Sequence, residues 1–193
     1  MTPPELRAAL DPVLAALRAL GVRHYVGGSI ASSAHGVARA SIDADVVAEL
    51  RLEHQAGLVA ALRSAYYVPE ARVPDAIARR SSFNVIHLET MIKVDVFVSK
   101  DRPFDRRALE RARLEPSVPP DVPPLLLASA EDTVLAKLDW FRRGGETSER
   151  QWTDVLGVLR AGRTALDAAY MRSGAIELGV GDLLERALRE SAG

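Results

Sequence analysis

Leu6, Leu10, Val13, Leu14, Leu17 and Leu20 recur every three or four residues, the spacing of one helical face, and Gly21 stands where such a helix would stop. The apolar pattern then shortens. It predicts a strand over 22–26, a brief helix over 30–35 closed by Gly36, and a longer strand over 42–50. A second amphipathic helix is expected over 52–65, a short strand over 66–68, and a small helix over 74–80. Residues 83–88 and 93–98 are β-rich runs joined by a short turn at 89–92, the clearest hairpin in the chain.

Past residue 100 the pattern changes character. An arginine-rich segment (Arg102, Arg106, Arg107, Arg111, Arg113) leads into the proline-dense stretch 116–124, which divides a mixed half from a helical half. Residues 125–127 suit a last short strand. Ser129 and Asp132 form an N-cap pattern for a helix running to about 143, which Gly144-Gly145 breaks. Further helices are expected over 148–159, 165–172 and 182–190.

Composition changes this picture little. The 193 residues are 48% hydrophobic with a formal charge of −1, as for an ordinary globular chain with no bulk attraction to nucleic acid. The absence of cysteine removes disulfides, thiolate metal sites and cysteine nucleophiles. No apolar run has membrane length and the N-terminal helix is amphipathic, so a cytoplasmic protein without membrane contact is expected. Lysine occurs only at 93, 100 and 137 among many arginines, so each lysine is a place to ask what a compact ammonium does there.

Chemistry concentrates in Gly27-Gly28-Ser29 and Asp43-Ala44-Asp45. Residues two apart in a strand share a face, so Asp43 and Asp45 project together while Ile42, Ala44 and Val46 point the other way. Paired carboxylates repel unless a proton or cation intervenes, and paired hard oxygens suit Mg²⁺. Gly27-Gly28-Ser29 lies between a strand and a helix-like stretch, where glycines let the backbone approach a phosphate and N–H groups at the helix start attract anions. Asp95 lies opposite Val94, Val96 and Val98, and would complete a set of three if its strand paired beside the Asp43 strand. Each piece has a plainer reading: an ordinary turn, a solvated strand end, and an edge-strand charge that discourages aggregation. His24, His35, His54 and His87 lack metal-ligand spacing and are expected in structural roles.

In order and kind, Gly28-Ser29, Asp43-Ala44-Asp45 and Asp95 resemble the signature of the DNA polymerase β-type nucleotidyltransferase superfamily. The segments Gly27 to Ala31 and Arg39 to Asp45 are most similar to small bacterial AbiEii-like nucleotidyltransferases. The resemblance implies an α/β (α+β) nucleotidyltransferase fold, a mixed sheet flanked by helices and followed by a C-terminal helical region. A catalytic domain over 1–115 and a helical region over 125–193 would form it, able to pack as one unit. It further implies Asp43, Asp45 and Asp95 as catalytic and metal-binding residues for Mg²⁺, or Mn²⁺ in its place. Gly28, Ser29, Lys137 and Asp154 would bind an NTP substrate. Lys137 has the alternatives of a plain surface lysine or of an ion pair with Asp154 between adjacent helices. Arg39 would contact phosphate or solvate its loop, and Arg142, Arg143 and Arg150 could join the 102–113 arginines in an acceptor surface.

The implied reaction moves a nucleoside monophosphate to a hydroxyl of RNA, protein or a small molecule and releases pyrophosphate. A toxin-like role with an antitoxin-type partner belongs to the same resemblance. The competing reading is a catalytically silent, nucleotidyltransferase-fold binding or antitoxin-like regulatory protein, against which the intact carboxylate set weighs. A phosphohydrolase is disfavoured by the lack of a His/Asp cluster.

Overall fold

A computed structural model describes residues 3–36, 38, 41–115 and 123–192. Arg39 and residues 116–122 of the proline stretch therefore lie outside the described residues.

Helix α1 (Pro4–Ala19) begins with proline in its first turn, where a missing N–H costs nothing, and Gly21 follows it at φ +68°. Strand β1 (His24–Val26) leads directly into α2 (Gly28–His35), which starts two residues earlier than the apolar pattern suggests. Strand β2 (Asp43–Ala48) follows, then a 3₁₀ turn (Leu52–His54) and α3 (Gln55–Leu62). Thus the single helix expected over 52–65 begins as 3₁₀ and stops early. Next come β3 (Tyr66–Tyr67), α4 (Val73–Ala78) and the hairpin β4 (Ser82–His87) and β5 (Lys93–Val98).

The arginine-rich segment is a helix, α5 (Pro103–Arg111), followed by strand β6 (Arg113–Glu115); the apolar pattern indicates neither. Pro103 stands in its first turn and the Asp105 carboxylate accepts from the Arg102 N–H at 3.0 Å, closing the helix start. Phe104, Ala108 and Leu109 form its buried face, too few apolar residues to stand out among Arg106, Arg107 and Arg111. After β7 (Leu125–Leu127) come α6 (Ala130–Arg143), α7 (Glu149–Ala161), α8 (Ala168–Leu178) and α9 (Gly181–Ala192). Helix α8 runs well beyond the expected 165–172, started by the Asp167 carboxylate on the Tyr170 N–H.

The strands form one mixed sheet in the order β3-β4-β5-β2-β1-β7-β6. Strands β2 and β5 are parallel neighbours at its centre, and β1 is antiparallel to β2 but parallel to β7. Alternation divides the sheet into two faces. Ala44, Val46, Ala48, Val94, Val96 and Val98 pack in one core with α1, α3 and α4. Tyr25 and Val47 belong to a second core with α5 to α9. Asp43, Asp45 and Asp95 lie on this second face. Among the described residues, no helix is long and apolar enough to cross a membrane.

Candidate active site

The geometry starts at the β1–α2 junction. Gly28 has φ +54°, a left-handed conformation that suits glycine, and any Cβ there would overlap the Asp45 carboxylate. The Gly27 N–H donates to the Asp45 carbonyl at 2.9 Å, tying the start of α2 to β2. The Asp45 carboxylate in turn accepts from the Ser29 backbone N–H. Glycine at 28 is thus explained by close approach of a carboxylate to the helix start.

Asp45 is paired in register with Asp95 across parallel strands, and Asp43 with Lys93. Burial, then the nearby charges of Asp43 and Asp95, push the Asp45 carboxyl up to about 6, against smaller opposing effects of Lys137 and the Ser29 N–H. Such mutual repulsion is what a divalent cation relieves, and the oxygen-only donor set fits Mg²⁺. Asp43 Oδ1 accepts from Ser41 Oγ at 3.2 Å. Ser29 Oγ, expected at a phosphate, is hydrogen-bonded to Ser41 Oγ.

Asp95 departs from the expected arrangement in one respect. Its carboxylate is held by Lys93 Nζ at 2.6 Å, two residues back on the same strand face. Among the described residues no three His, Cys, Asp or Glu side chains are gathered as a metal site. The alternative of an edge-strand charge is excluded, because β5 lies inside the sheet between β4 and β2.

Gly28, Ser29, Asp43 and Asp45 line a cleft of about 780 Å³ between the sheet and the helices α5 to α7. Asp95 lines an adjoining polar groove of about 300 Å³, and the two share Ser81 and Ser82.

No protein-family model matches the chain, and no curated protein matches it. Two solved structures share its architecture. An antigenic nucleotidyltransferase-like protein from Paracoccidioides brasiliensis superposes with a TM-score of 0.55 at 15% identity, over 98% of this chain and 94% of its own. The antibiotic-resistance factor ANT(2″)-Ia superposes with a TM-score of 0.54 at 15% identity, over 95% of this chain and 94% of its own. The chain has the nucleotidyltransferase fold. At this identity the likeness establishes architecture and does not reach the AbiEii-like subgroup.

Within this nucleotidyltransferase fold, Lys137 and Asp154 both line the large cleft. Lys137 Nζ lies 2.8 Å from Asp154 Oδ2, with only 12% and 8% of the two side chains exposed. Ser32 Oγ, on α2, donates to the same oxygen at 3.3 Å. The ion pair between adjacent helices is therefore present.

The arginines divide. Arg102, Arg143 and Arg150 line the cleft, whereas Arg107 is paired with Glu177 and Arg142 with Asp182. Lys100, Phe97 and Trp140, to which the sequence reading assigned no role, also line the cleft; the two rings meet edge to face at 5.6 Å. Phe97 was visible through alternation, being two residues from Asp95 on the same face. The histidines take structural positions: His24 bonds the Val22 carbonyl, His35 the Ala128 carbonyl, His54 the Arg51 N–H and His87 the Thr90 hydroxyl.

Proposed function

We propose that this protein is a Mg²⁺-dependent nucleotidyltransferase, moving a nucleoside monophosphate from an NTP to an acceptor hydroxyl. The observation that carries the reading is the like-charged, half-buried Asp43/Asp45 pair beside a glycine-formed helix start in a cleft of about 780 Å³. That volume suits a nucleotide. Asp43 and Asp45 would hold the metal, with Asp95 as the third donor. Bound there, Mg²⁺ or Mn²⁺ supplies charge stabilisation for the triphosphate.

The chain's own groups carry the remaining work. Backbone N–H groups at the start of α2 and the Lys137 ammonium neutralise phosphate oxygens. The acceptor oxygen bonds to the α-phosphorus as the bond to the β-phosphate bridging oxygen breaks. Pyrophosphate leaves, and the hydroxyl proton passes to the Asp95 carboxylate and then to solvent. Phe97 and Trp140 offer apolar surface for a base. A cytoplasmic, toxin-like enzyme with an antitoxin-type partner is the finer form of this proposal, supported by the resemblance in sequence alone. A small-molecule acceptor is the form suggested by the likeness to an antibiotic-resistance factor.

One observation favours a second reading, a silent binding protein: the Lys93 ammonium already satisfies Asp95. The test supplies each α-labelled NTP with Mg²⁺ or Mn²⁺, plus total RNA and cell lysate. Label transfer that is lost in Asp43→Ala and Asp45→Ala supports the enzyme. Nucleotide binding without transfer, unchanged in Lys93→Met, supports the silent protein. Absence of nucleotide binding with both metals refutes both.

A further inference from the structure

The ion pair of Lys137 and Asp154 fixes how α6 and α7 face each other. The two helices are joined by a short turn and run antiparallel, with 2.8 Å between the paired atoms. Three residues further along α6 is Trp140, and three residues back along α7 is Gln151. Both therefore fall one turn beyond the pair, and both line the cleft. Phe97 meets Trp140 edge to face from β5, and its register partner Val47 is two residues past Asp45. Ring and amide stand together, one step along the cleft from the carboxylates and Lys137.

The Gln151 side chain has no structural task. Its backbone N–H donates to Ser148 Oγ at 3.3 Å, in the N-cap of α7, so the residue is anchored at the helix start. Its Oε1 is buried yet meets no hydrogen-bond donor among the described residues. A buried carbonyl oxygen left without a donor is costly, which points to a donor brought by a ligand. Trp140 remains 49% exposed, a large apolar ring open to the cleft. We infer that Trp140 and Gln151 form a nucleobase subsite, with the base lying on the indole and an exocyclic amine of the base donating to Gln151 Oε1. This inference rests on the nucleotidyl-transfer reading and adds which nucleotides the cleft selects.

Stacking on an indole suits the flat face of any base and carries little selectivity, so the choice among bases falls to the amide. Adenine, guanine and cytosine carry an exocyclic amine, whereas uracil and hypoxanthine carry only oxygens outside the ring. An oxygen brought against Gln151 Oε1 leaves two acceptors facing each other, an arrangement that a site built on a hydrogen bond rejects strongly. About one helical turn, roughly 5 Å, separates Trp140 from Lys137 along α6. That leaves room for a ribose between a phosphate at Lys137 and a base at Trp140.

The experiment measures binding of ATP, GTP, CTP, UTP and ITP to the full chain in Mg²⁺ with no acceptor present. At least one of the three amine-bearing nucleotides is expected to bind about tenfold more tightly than both UTP and ITP, the effect of one buried hydrogen bond. The tightest of the three names the base. Gln151→Leu should bring that nucleotide to the level of ITP and leave ITP within about twofold of its parental affinity. Gln151→Glu keeps an acceptor and loses the amide donor, so it should keep the ratio. Trp140→Ala should weaken every nucleotide alike, by about tenfold. Several results would overturn the proposal: UTP or ITP bound as tightly as the best amine-bearing nucleotide, Gln151→Leu weakening ITP as much as that nucleotide, a ratio lost in Gln151→Glu, or parental affinities in Trp140→Ala. The ratios in the unaltered chain decide it even where a variant does not fold. Equal binding of all the nucleotides removes this inference and leaves the nucleotidyl-transfer reading standing. If none binds, that reading falls as well.

Discussion

The Asp45 carboxylate lies against the Cα of Gly28, so close that its Cγ would be 2.5 Å from any Cβ placed there. Gly28 also holds φ +54°, which costs an L-residue roughly 1–2 kcal/mol. Steric overlap and backbone strain therefore act together at one position. Gly28→Ala is expected to lose at least about 2 kcal/mol of stability. Because relief of the clash displaces Asp45, nucleotide binding should fall more than stability alone would explain. Urea unfolding and ATP titration on the same preparation check both. Unchanged stability and affinity in the Gly28→Ala variant would show that the contact is not maintained in solution.

Asp45 is held among like charges. Burial and the charges of Asp43 and Asp95 disfavour its ionised form, so the carboxylate destabilises the metal-free fold near neutral pH. Asp45→Asn removes that charge at nearly constant shape. In EDTA the variant is expected to be more stable than the parent by on the order of 1 kcal/mol. Mg²⁺ should raise the melting temperature of the parent and leave that of the variant nearly unchanged. Thermal unfolding with and without metal distinguishes this from a purely structural aspartate, whose loss would destabilise under both conditions.

The carboxylate face was legible in the sequence because strand alternation is a local property. Val94, Val96 and Val98 facing the core places Asp95 opposite, and Asp43 and Asp45 follow by the same period. The same alternation also puts Lys93 beside Asp95, a pairing that attention to the carboxylates alone passes over. Helix α5 was hidden for a different reason. Two of its arginines are satisfied by partners far along the chain, Arg107 by Glu177 and Arg111 by Glu131, so the local sequence looks merely charged. The polar groove beside Asp95 depends on how α4 and β4 stand against β5, which no local pattern encodes.

Lys137 and Asp154 separate a structural role from a nucleotide-binding one. Lys137→Met withdraws the ammonium from the buried Asp154 carboxylate and is expected to destabilise the fold by about 3 kcal/mol. The double variant Lys137→Met/Asp154→Leu removes both charges and should recover most of that loss. If Lys137 also neutralises phosphate, the double variant folds stably yet binds ATP at least about tenfold more weakly. A stable double variant with parental ATP affinity would confine the lysine to its ion pair.

His24 supplies a pH dependence remote from the cleft. Its ring is buried in β1, with Nδ1 2.8 Å from the Val22 carbonyl oxygen. Burial, more than the neighbouring Arg18 charge, lowers its affinity for a proton, against a smaller opposing effect of the Val22 hydrogen bond. In the unfolded chain the imidazole takes up a proton near pH 6.5, whereas the folded chain does so only at lower pH. Between those values the unfolded state binds more protons, so stability rises with pH and is lost on acidification. His24→Gln removes the titration. Its free energy of unfolding should fall less than that of the parent as pH drops from about 7.5 to about 5.5, the window around the unfolded value. Parallel urea titrations across this range measure the difference. Equal slopes in the two proteins would mean that the His24 ring is hydrated in the native state.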